Sequence, residues 1–175
     1  MKKNHNGKDG IAVVGEGANT YVYLLSHKKQ KICKFNASDL SDSNFVGGSH
    51  CIGSIKKAQG MAVSGKTTAT TTDDFLYVWR NYNPGTIYKY DAYTDTGTYI
   101  SRFAKRGTGA GKTKNVSGLD VDANGNIYAP EGGNNDRRWV SKFNSDGDYV
   151  DRSPNPRAKR MEIAKMAIRL SLIHI

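Results

Sequence analysis

A glycine-rich segment, KRGTGAGKTK at residues 105–114, comes close to a phosphate-binding loop. The P-loop pattern GxxxxGK[ST] requires a glycine where Arg106 stands, so the spacing is one residue short. A P-loop also leads from a buried strand into a helix whose N-terminus holds the phosphate. The residues that follow, NVSGLDVD, are typical of a strand. The sequence therefore predicts a linker between structural repeats here, without a bound nucleotide.

A second segment, DVDANGNIYAPE at residues 120–131, matches the whole EF-hand calcium loop pattern. Four side chains would be the calcium ligands: Asp120, Asp122, Asn124 and Glu131. An EF-hand needs a helix on each side, whereas glycine-rich sequence flanks this segment. Two strands joined by an Asn-Gly turn explain the same residues. The sequence favours this hairpin, without a metal ion.

Lysines and tyrosines recur at corresponding positions along the chain. The lysines precede an aromatic residue and an Asn or Asp, and they are Lys34, Lys89 and Lys142. Together they could form a ring that binds an anionic ligand, but the solvent-facing side of an amphipathic strand is the favoured interpretation. The tyrosines stand between aliphatic residues, and they are Tyr23, Tyr77 and Tyr128. Their neighbours predict that they pack between adjacent sheets.

Few other residues are candidates for catalysis or metal binding. Cys33 and Cys51 either form one disulfide or remain free thiols. The histidines share no metal-ligand spacing, and they are His5, His27, His50 and His174. No Ser/His/Asp or Cys/His set can be assigned from positions alone. The sequence thus leaves catalytic residues unassigned and predicts no cofactor and no metal site.

Four sequence marks recur in the same order three times. The first repeat contains GIAV at 10–13, VYL at 22–24, KFN at 34–36 and FV at 45–46. The second contains GMAV at 60–63, LYV at 76–78, KYD at 89–91 and YI at 99–100. The third contains GLDV at 118–121, IYA at 127–129, KFN at 142–144 and YV at 149–150. Each mark has strand length and β-rich composition, and turn residues separate the marks.

A repeat is therefore predicted to be four short antiparallel strands joined by tight turns. One such sheet cannot bury both of its faces, but sheets arranged radially around an axis can, and this is a β-propeller. The opening glycines, at positions 10, 60 and 118, are spaced as one blade per repeat requires. We expect an all-β fold, a β-propeller fragment of three four-stranded antiparallel blades and the start of a fourth.

Residues 118–150 resemble a repeat of the NHL family of β-propellers. Matching positions are Gly118, Val121, Asp122, Gly125, Asn126, Ile127, Tyr128, Asn134, Asn135, Arg138, Phe143 and Gly147. Pro130 and Glu131 depart from it, since the family has Ala-Asp there. The second repeat, residues 76–100, is also similar to a kelch blade, but it lacks the Trp that kelch repeats place near Gly97. Both families are propellers, so both resemblances imply the same fold.

We expect a partial propeller over residues 1–169, with blades at approximately 8–56, 57–112 and 113–153. IAKMAI at 163–168 aligns with AQGMAV at 58–63, so residues 157–169 are expected to begin a fourth blade, although they also suit an amphipathic helix. The last residues, LSLIHI at 170–175, match the translation of a transposase adapter used in sequencing libraries. The reading frame is therefore expected to pass from a truncated gene into adapter DNA, so that further blades are needed to close the ring.

The chain is basic, with 26 Lys and Arg against 16 Asp and Glu and a net charge of +10. The charges are spread along the sequence without a dense stripe, which predicts an ordinary solvated surface. No apolar run is long enough to span a membrane. The compartment stays open, and the NHL resemblance favours an extracytoplasmic or secreted location.

The resemblance implies a non-catalytic module, because NHL propellers often bind partners. The expected partner is a protein or a small ligand, held by loops around the propeller axis. One alternative is a propeller enzyme of the lyase, lactonase or hydrolase type, with its site at the central channel. Only Asp120 and Asp122 supply carboxylates to the strands that open each repeat, which weakens this alternative. Another alternative is RNA binding, against which the even spread of charge argues.

Overall fold

The computed structural model of the chain describes residues 10–15, 17–45, 49–53, 55–64, 75–80, 86–92, 98–131 and 139–154. The predicted start of a fourth blade and the adapter-like residues lie outside these ranges. The described residues form twelve strands and a single 3-10 turn, Gly17–Asn19. Within the same ranges, no helix has the length and apolar character that crossing a bilayer requires.

The strands form three four-stranded sheets, each following chain order, and all neighbouring strands are antiparallel. The first blade contains β1 (Gly10–Val14), β2 (Tyr21–Ser26), β3 (Lys31–Asn36) and β4 (Cys51–Ile52). The second contains β5 (Ala58–Ser64), β6 (Phe75–Arg80), β7 (Thr86–Asp91) and β8 (Tyr99–Phe103). The third contains β9 (Asp120–Val121), β10 (Ile127–Glu131), β11 (Trp139–Phe143) and β12 (Tyr149–Pro154). The predicted fold, three four-stranded antiparallel blades, is confirmed.

One strand lies elsewhere than predicted. The fourth strand of the first blade is Cys51–Ile52, whereas the FV mark at 45–46 was expected there; position 46 lies outside the described residues. Phe45 lies outside any strand and is 1% exposed, with its ring centroid 6.0 Å from that of Tyr23. In the sequence, an apolar residue that reaches the core from a loop between strands cannot be told from one within a strand. The prediction was wrong because burial alone does not determine strand pairing.

The first strands of the blades lie side by side. Strand β1 contacts β5, and β5 contacts β9. A Cβ atom at Gly60 would lie 3.3 Å from the Cα atom of Gly118, so the two inner strands approach closely. The opening glycines of the second and third repeats stand at this approach, which is a physical reason for that mark. The blades thus meet at their inner strands, as in a propeller.

Two hydrophobic clusters fill the spaces between the blades. One lies between the first and second blades and includes Tyr23, Leu25 and Ile32. The other lies between the second and third blades and includes Ile127, Ala129 and Phe143. Strand β6 serves both: Leu76 and Val78 belong to the first cluster, and Tyr77 and Trp79 to the second. This alternation follows from the two-residue period of a strand.

Antiparallel pairing sorts the connections to two ends of the sheets. The upper end carries the connections after the first and third strands of each blade, and it includes residues 37–45, 122–126 and 144–148. The lower end carries the turns between second and third strands and the linkers between blades, and it includes residues 27–30, 55–57 and 104–117. The amide of Ile55 donates to the carbonyl of Gln30, 3.0 Å away, which ties a linker to a turn at the lower end.

Candidate functional site

The glycine-rich segment at residues 105–114 lies between β8 and β9, in the position predicted for a linker. Some of its backbone amides donate within the segment: that of Gly107 to the carbonyl of Thr113 at 3.0 Å, and that of Lys112 to the carbonyl of Gly109 at 3.1 Å. The strand β9 follows, where a P-loop would have a helix. The segment therefore lacks the helix N-terminus that holds the phosphate in a P-loop.

The same segment surrounds a cation that belongs to the chain. The guanidinium of Arg152, on β12, donates to the carbonyls of Thr108 and Gly109 at 3.0 and 3.2 Å, and to that of Lys112. It also lies 4.6 Å from the ring centroid of Trp139. The carbonyls of the segment thus face inward to a positive charge. The segment that resembles an anion site in sequence is thus a linker, and Arg152 holds it to the third blade.

Glu131 balances the charge of Arg152. The residue is 4% exposed, and its carboxylate lies 3.4 Å from the guanidinium. It also accepts hydrogen bonds from the hydroxyl of Ser141 at 2.8 Å and the amide of Lys114 at 2.6 Å. A buried ion pair is retained at low cost only when its remaining polar atoms are also paired, and here they are. Glu131 is therefore a structural residue of the lower end.

The segment with the EF-hand pattern forms the hairpin β9–β10, as predicted, with Gly125 at φ 79° in its turn. The carboxylate of Asp122 accepts from the amides of Asn124 and Asn126 at 3.0 and 2.9 Å. It also accepts from the side chains of Asn126 at 2.8 Å and Tyr128 at 3.0 Å. Asp122 thus stabilises the turn at the upper end, whereas Glu131 belongs to the network at the lower end.

Asp120 and Asp122 have opposite pKa shifts. Burial raises the pKa of Asp120, the hydrogen bond from the amide of Val121 opposes the rise, and the nearby charge of Asp122 adds to it. Burial also favours a higher pKa for Asp122, but the hydrogen bonds from Asn126, Tyr128 and the amide of Asn124 outweigh it and lower that pKa. Asp120 is therefore an inner-strand carboxyl that is costly to ionise, a common property of functional groups.

The repeated lysines lie on blade faces rather than in open solvent. Lys89 is 7% exposed, and its ammonium donates to the carbonyl of Ser145 in the third blade at 2.8 Å. The hydroxyl of Tyr77 donates to the same carbonyl at 3.4 Å. Burial lowers the pKa of Lys89, and the charge of Asp146 partly opposes this. The favoured solvent-facing interpretation was wrong for Lys89, because the neighbouring blade covers that face.

The prediction that the repeated tyrosines pack between adjacent sheets is confirmed in two blades. Tyr23 and Tyr77 are fully buried and belong to the two clusters between blades. Tyr128 is half-buried and donates its hydroxyl to Asp122. The contact between the repeated lysine and the repeated tyrosine recurs, with the ammonium of Lys34 6.0 Å from the ring centroid of Tyr23 and that of Lys142 5.5 Å from that of Tyr128.

Cys33 and Cys51 form a disulfide between β3 and β4. The structure also brings His50 to this pair, since its donor atom and the two sulfurs lie within 4.8 Å of one another. The imidazole Nδ1 lies 3.8 Å from a carboxylate oxygen of Asp42. Sequence spacing missed this cluster because the strand pairing, not the chain, brings Cys33 to the other two. The sulfurs are bonded to each other, so in this state they are not metal ligands.

The fold separates charges that are interspersed along the sequence. Nine exposed cationic side chains lie at the lower end: Lys28, Lys29, Lys31, Lys56, Lys57, Lys105, Arg106, Lys112 and Lys114. Exposed acidic side chains lie at the upper end: Asp39, Asp42, Asp146 and Asp148. The spread of charge along the sequence does not reveal this separation, because turns of one kind, far apart in sequence, gather at one end of a propeller.

No known protein family and no curated protein matches the chain. Among solved structures, hydrazine synthase from Kuenenia stuttgartiensis, which has β-propeller subunits, is similar with a TM-score of 0.54 and 14% identity. The match covers 87% of this chain and 37% of that one, so the chain spans little more than a third of its length. A likeness at this identity supports the β-propeller fold and says nothing of activity.

Proposed function

We propose that the chain is a non-catalytic β-propeller module of NHL-like repeats that binds an acidic polypeptide segment at its lower end. Support for the repeat type comes from the hydrogen bonds that join positions of the NHL pattern, namely Asp122, Asn126 and Tyr128. The disulfide suits an oxidising compartment, in keeping with a secreted or cell-surface protein.

The observation that carries the proposal is the collection of nine exposed cations at the lower end. The acidic side chain described there, Glu131, is buried and paired with Arg152, so it does not offset the surface charge. A surface of one sign attracts a partner of the opposite sign and speeds their encounter. Loops on a rigid scaffold are also common binding sites in proteins.

An acidic protein segment fits this surface better than single-stranded RNA does. Proteins that bind single strands combine positive charge with aromatic side chains on which bases stack. The exposed aromatic residues within the described ranges, Tyr99 and Tyr149, begin β8 and β12 at the upper end. The cations and the exposed rings therefore lie at opposite ends of the blades.

A propeller enzyme is the second candidate, and one observation favours it. Asp120 lies on an inner strand, and burial raises the pKa of its carboxyl. Such a carboxyl could act as a general acid in a central channel. The nearby charge of Asp122 adds to the rise of this pKa, and that carboxylate already serves as the acceptor of the hairpin turn.

The test measures binding of a fluorescent poly-glutamate peptide and a poly-uridine RNA to the whole chain by anisotropy at several salt concentrations. The test variant replaces four lower-end cations by Gln: Lys28, Lys56, Lys105 and Arg106. We expect it to weaken poly-glutamate binding about 30-fold, since exposed pairs contribute roughly 0.5 kcal/mol each. Binding should also weaken as salt rises.

A control variant makes the same change in net charge at the upper end by replacing four exposed residues with Glu: Ser38, Asn44, Ala123 and Asn124. It should retain binding of poly-glutamate. Equal weakening in both variants would mean that net charge alone attracts the peptide, and the proposed lower-end site would be wrong. Tighter binding of RNA than of poly-glutamate at matched length would replace the proposal with the RNA alternative.

A further inference from the structure

Among the described residues, Cys33, Cys51 and His50 are the one group of three His, Cys, Asp or Glu side chains that lie close enough to share a metal ion. Their two sulfurs and one imidazole nitrogen are all within 4.8 Å of one another. Thiolate and imidazole are ligands that suit zinc, and two Cys with one His is an established zinc set. The group is therefore a disulfide beside a histidine when the sulfurs are bonded, and a set of three zinc ligands when they are not.

The backbone holds this group together without help from the disulfide. Cys33 and Cys51 stand directly opposite each other on β3 and β4. The amide of Lys34 donates to the carbonyl of His50 at 2.8 Å, which fixes the residue before β4 to β3. The hydroxyl of Ser49 donates to the carbonyl of Cys51 at 2.9 Å. Because these contacts do not depend on the S–S bond, breaking that bond leaves the three ligands close together.

Asp42 lies beside the imidazole of His50 as an outer partner of a metal ligand does. One of its carboxylate oxygens is 3.8 Å from Nδ1, so a small side-chain rotation brings the two into hydrogen-bond distance. The backbone of Asp42 is placed there by an antiparallel bridge to Phe35 on β3. A histidine that binds a metal commonly donates its other ring N–H to a carboxylate, which orients the ring. With Nδ1 towards Asp42, Nε2 is left for the metal.

We propose that Cys33 and Cys51 are a redox-controlled zinc site, which is a disulfide when oxidised and binds Zn²⁺ through both thiolates and His50 when reduced. A water molecule takes the fourth position of the tetrahedron. The sulfurs move apart to about 3.7 Å, the separation that tetrahedral Zn–S bonds of about 2.3 Å require. Rotation of the two cysteine side chains provides this movement, and the zinc ion then replaces the disulfide as the link between β3 and β4.

The change from one form to the other is a thiol–disulfide exchange followed by metal binding. A dithiol reductant attacks one sulfur as its thiolate, and the S–S bond breaks as a mixed disulfide forms. The second thiolate of the reductant then attacks the mixed disulfide. The reductant leaves as a cyclic disulfide, and the protein has gained two electrons and two protons as two thiols. Binding of Zn²⁺ releases these two protons to the solvent.

The experiment titrates the whole chain with Co²⁺ after reduction by a phosphine under native conditions and removal of the reductant without oxygen. The phosphine takes an oxygen atom from water and becomes a phosphine oxide, so it leaves no competing thiol. Thiolate-bound cobalt absorbs in the near ultraviolet through sulfur-to-metal charge transfer. We expect these bands in the reduced protein, with one cobalt per chain, and not in the oxidised protein. Zinc should displace the cobalt and remove the bands.

Single variants test each ligand. His50→Ala should weaken cobalt binding more than about 100-fold, because loss of a ligand costs more than the 10- to 100-fold typical of an outer partner. Asp42→Asn should weaken binding about 10-fold, as loss of an outer partner does. Cys33→Ser with Cys51→Ser should show no charge-transfer bands. His27→Ala is the matched control, since this histidine lies in the turn before β3 and outside the group, and it should bind cobalt as the original chain does.

Urea unfolding separates a site in the folded protein from binding by the unfolded chain. A ligand that binds the native state alone raises the unfolding midpoint. Zinc should therefore raise the midpoint of the reduced protein but not of the oxidised protein, and His50→Ala should diminish the rise. The proposal would be overturned by a reduced protein without the cobalt bands, by bands of equal strength in His50→Ala, or by a midpoint that zinc leaves unchanged. A disulfide that the phosphine does not reduce in the folded protein would also overturn it.

Discussion

Two carboxyl groups, two residues apart, have different roles because their surroundings differ. Asp122 lies in a turn whose amides point at it, and its anion replaces water as their acceptor. Asp120 has one such hydrogen bond, from the amide of Val121 at 2.9 Å, and burial dominates its pKa. The sequence pattern DVD presents the two as equivalent. The local hydrogen bonds, not the residue types, make one structural and the other a candidate for function.

Asp120→Asn should stabilise the protein at neutral pH. The pKa of Asp120 is raised in the folded state, so the native protein holds its proton more tightly than the unfolded chain does. Stability is therefore lost as pH rises from about 3.8 through the folded pKa. Asn keeps the acceptor for the amide of Val121 without this cost. We expect a gain of up to about 1 kcal/mol in urea unfolding at pH 7 that disappears at pH 3.

Asp122→Asn is the matched variant and should act in the opposite direction. The pKa of Asp122 is lowered, so its contribution is present above about 3.8 and is lost as pH falls through the folded pKa. The variant should lose about 1–3 kcal/mol at pH 7, because charged acceptors make stronger hydrogen bonds than neutral ones. The loss should shrink towards pH 2. A loss that is the same at pH 7 and pH 2 would contradict this account.

Among the turns, the one between β11 and β12 depends on a glycine. Gly147 has φ 91°, and a Cβ atom there would lie 2.5 Å from the ring of Phe103 in the second blade. Gly147→Ala should therefore cost about 2 kcal/mol or more in urea unfolding. Gly125→Ala is the control, since it has φ 79° but its nearest neighbour would be 3.4 Å away, so it adds strain without a clash.

The clash can be tested directly in a second background. Truncating the ring by Phe103→Ala should lower the cost of Gly147→Ala, because it removes the ring atom at 2.5 Å and leaves the Cβ atom of Phe103 at 3.0 Å. If the cost is unchanged in that background, backbone strain alone explains it and the contact between blades contributes nothing.

The short strand β4 is held to β3 by the Cys33–Cys51 disulfide, which closes a loop with a sequence separation of 18. Reduction, or the double substitution Cys33→Ser with Cys51→Ser, should lower the free energy of unfolding by about 2–4 kcal/mol. Urea melts with and without dithiothreitol measure the effect, and the serine variant should not respond to the reductant. Two thiols titrated in the native, air-exposed protein would contradict the disulfide.

The sequence predicts the elements well where alternation and turns agree, and poorly where a contact comes from another blade. The repeats at Tyr23, Tyr77 and Tyr128 locate three strands because apolar neighbours fix their length. The roles of Lys89 and Arg152 were not predictable in this way. Each donates to a backbone carbonyl of a distant segment, and every residue has such a carbonyl, so the sequence does not show which one will be the partner.

For the whole molecule, the second blade carries most of the cohesion, because both hydrophobic clusters include its side chains. In repeat architectures each unit contacts its neighbours, so stability is approximately a sum of unit and interface contributions. The positive charge at the lower end is likewise a property of the whole molecule. The linker at 104–117 carries four of the nine cations, and the radial arrangement adds those of residues 28–31 and 56–57 at the same end.

This architecture predicts that a substitution at one interface between blades destabilises mainly the two blades that meet there. Leu76→Ala opens the cluster between the first and second blades, and Ile127→Ala opens the one between the second and third. Both side chains are fully buried, so each variant should lose about 2–5 kcal/mol. Hydrogen exchange read by mass spectrometry should rise in β2 for Leu76→Ala and in β11 for Ile127→Ala, with the distant blade changing less. A uniform rise across all three blades in both variants would mean that they unfold as one cooperative unit, so the sum over neighbouring interfaces would not describe this protein.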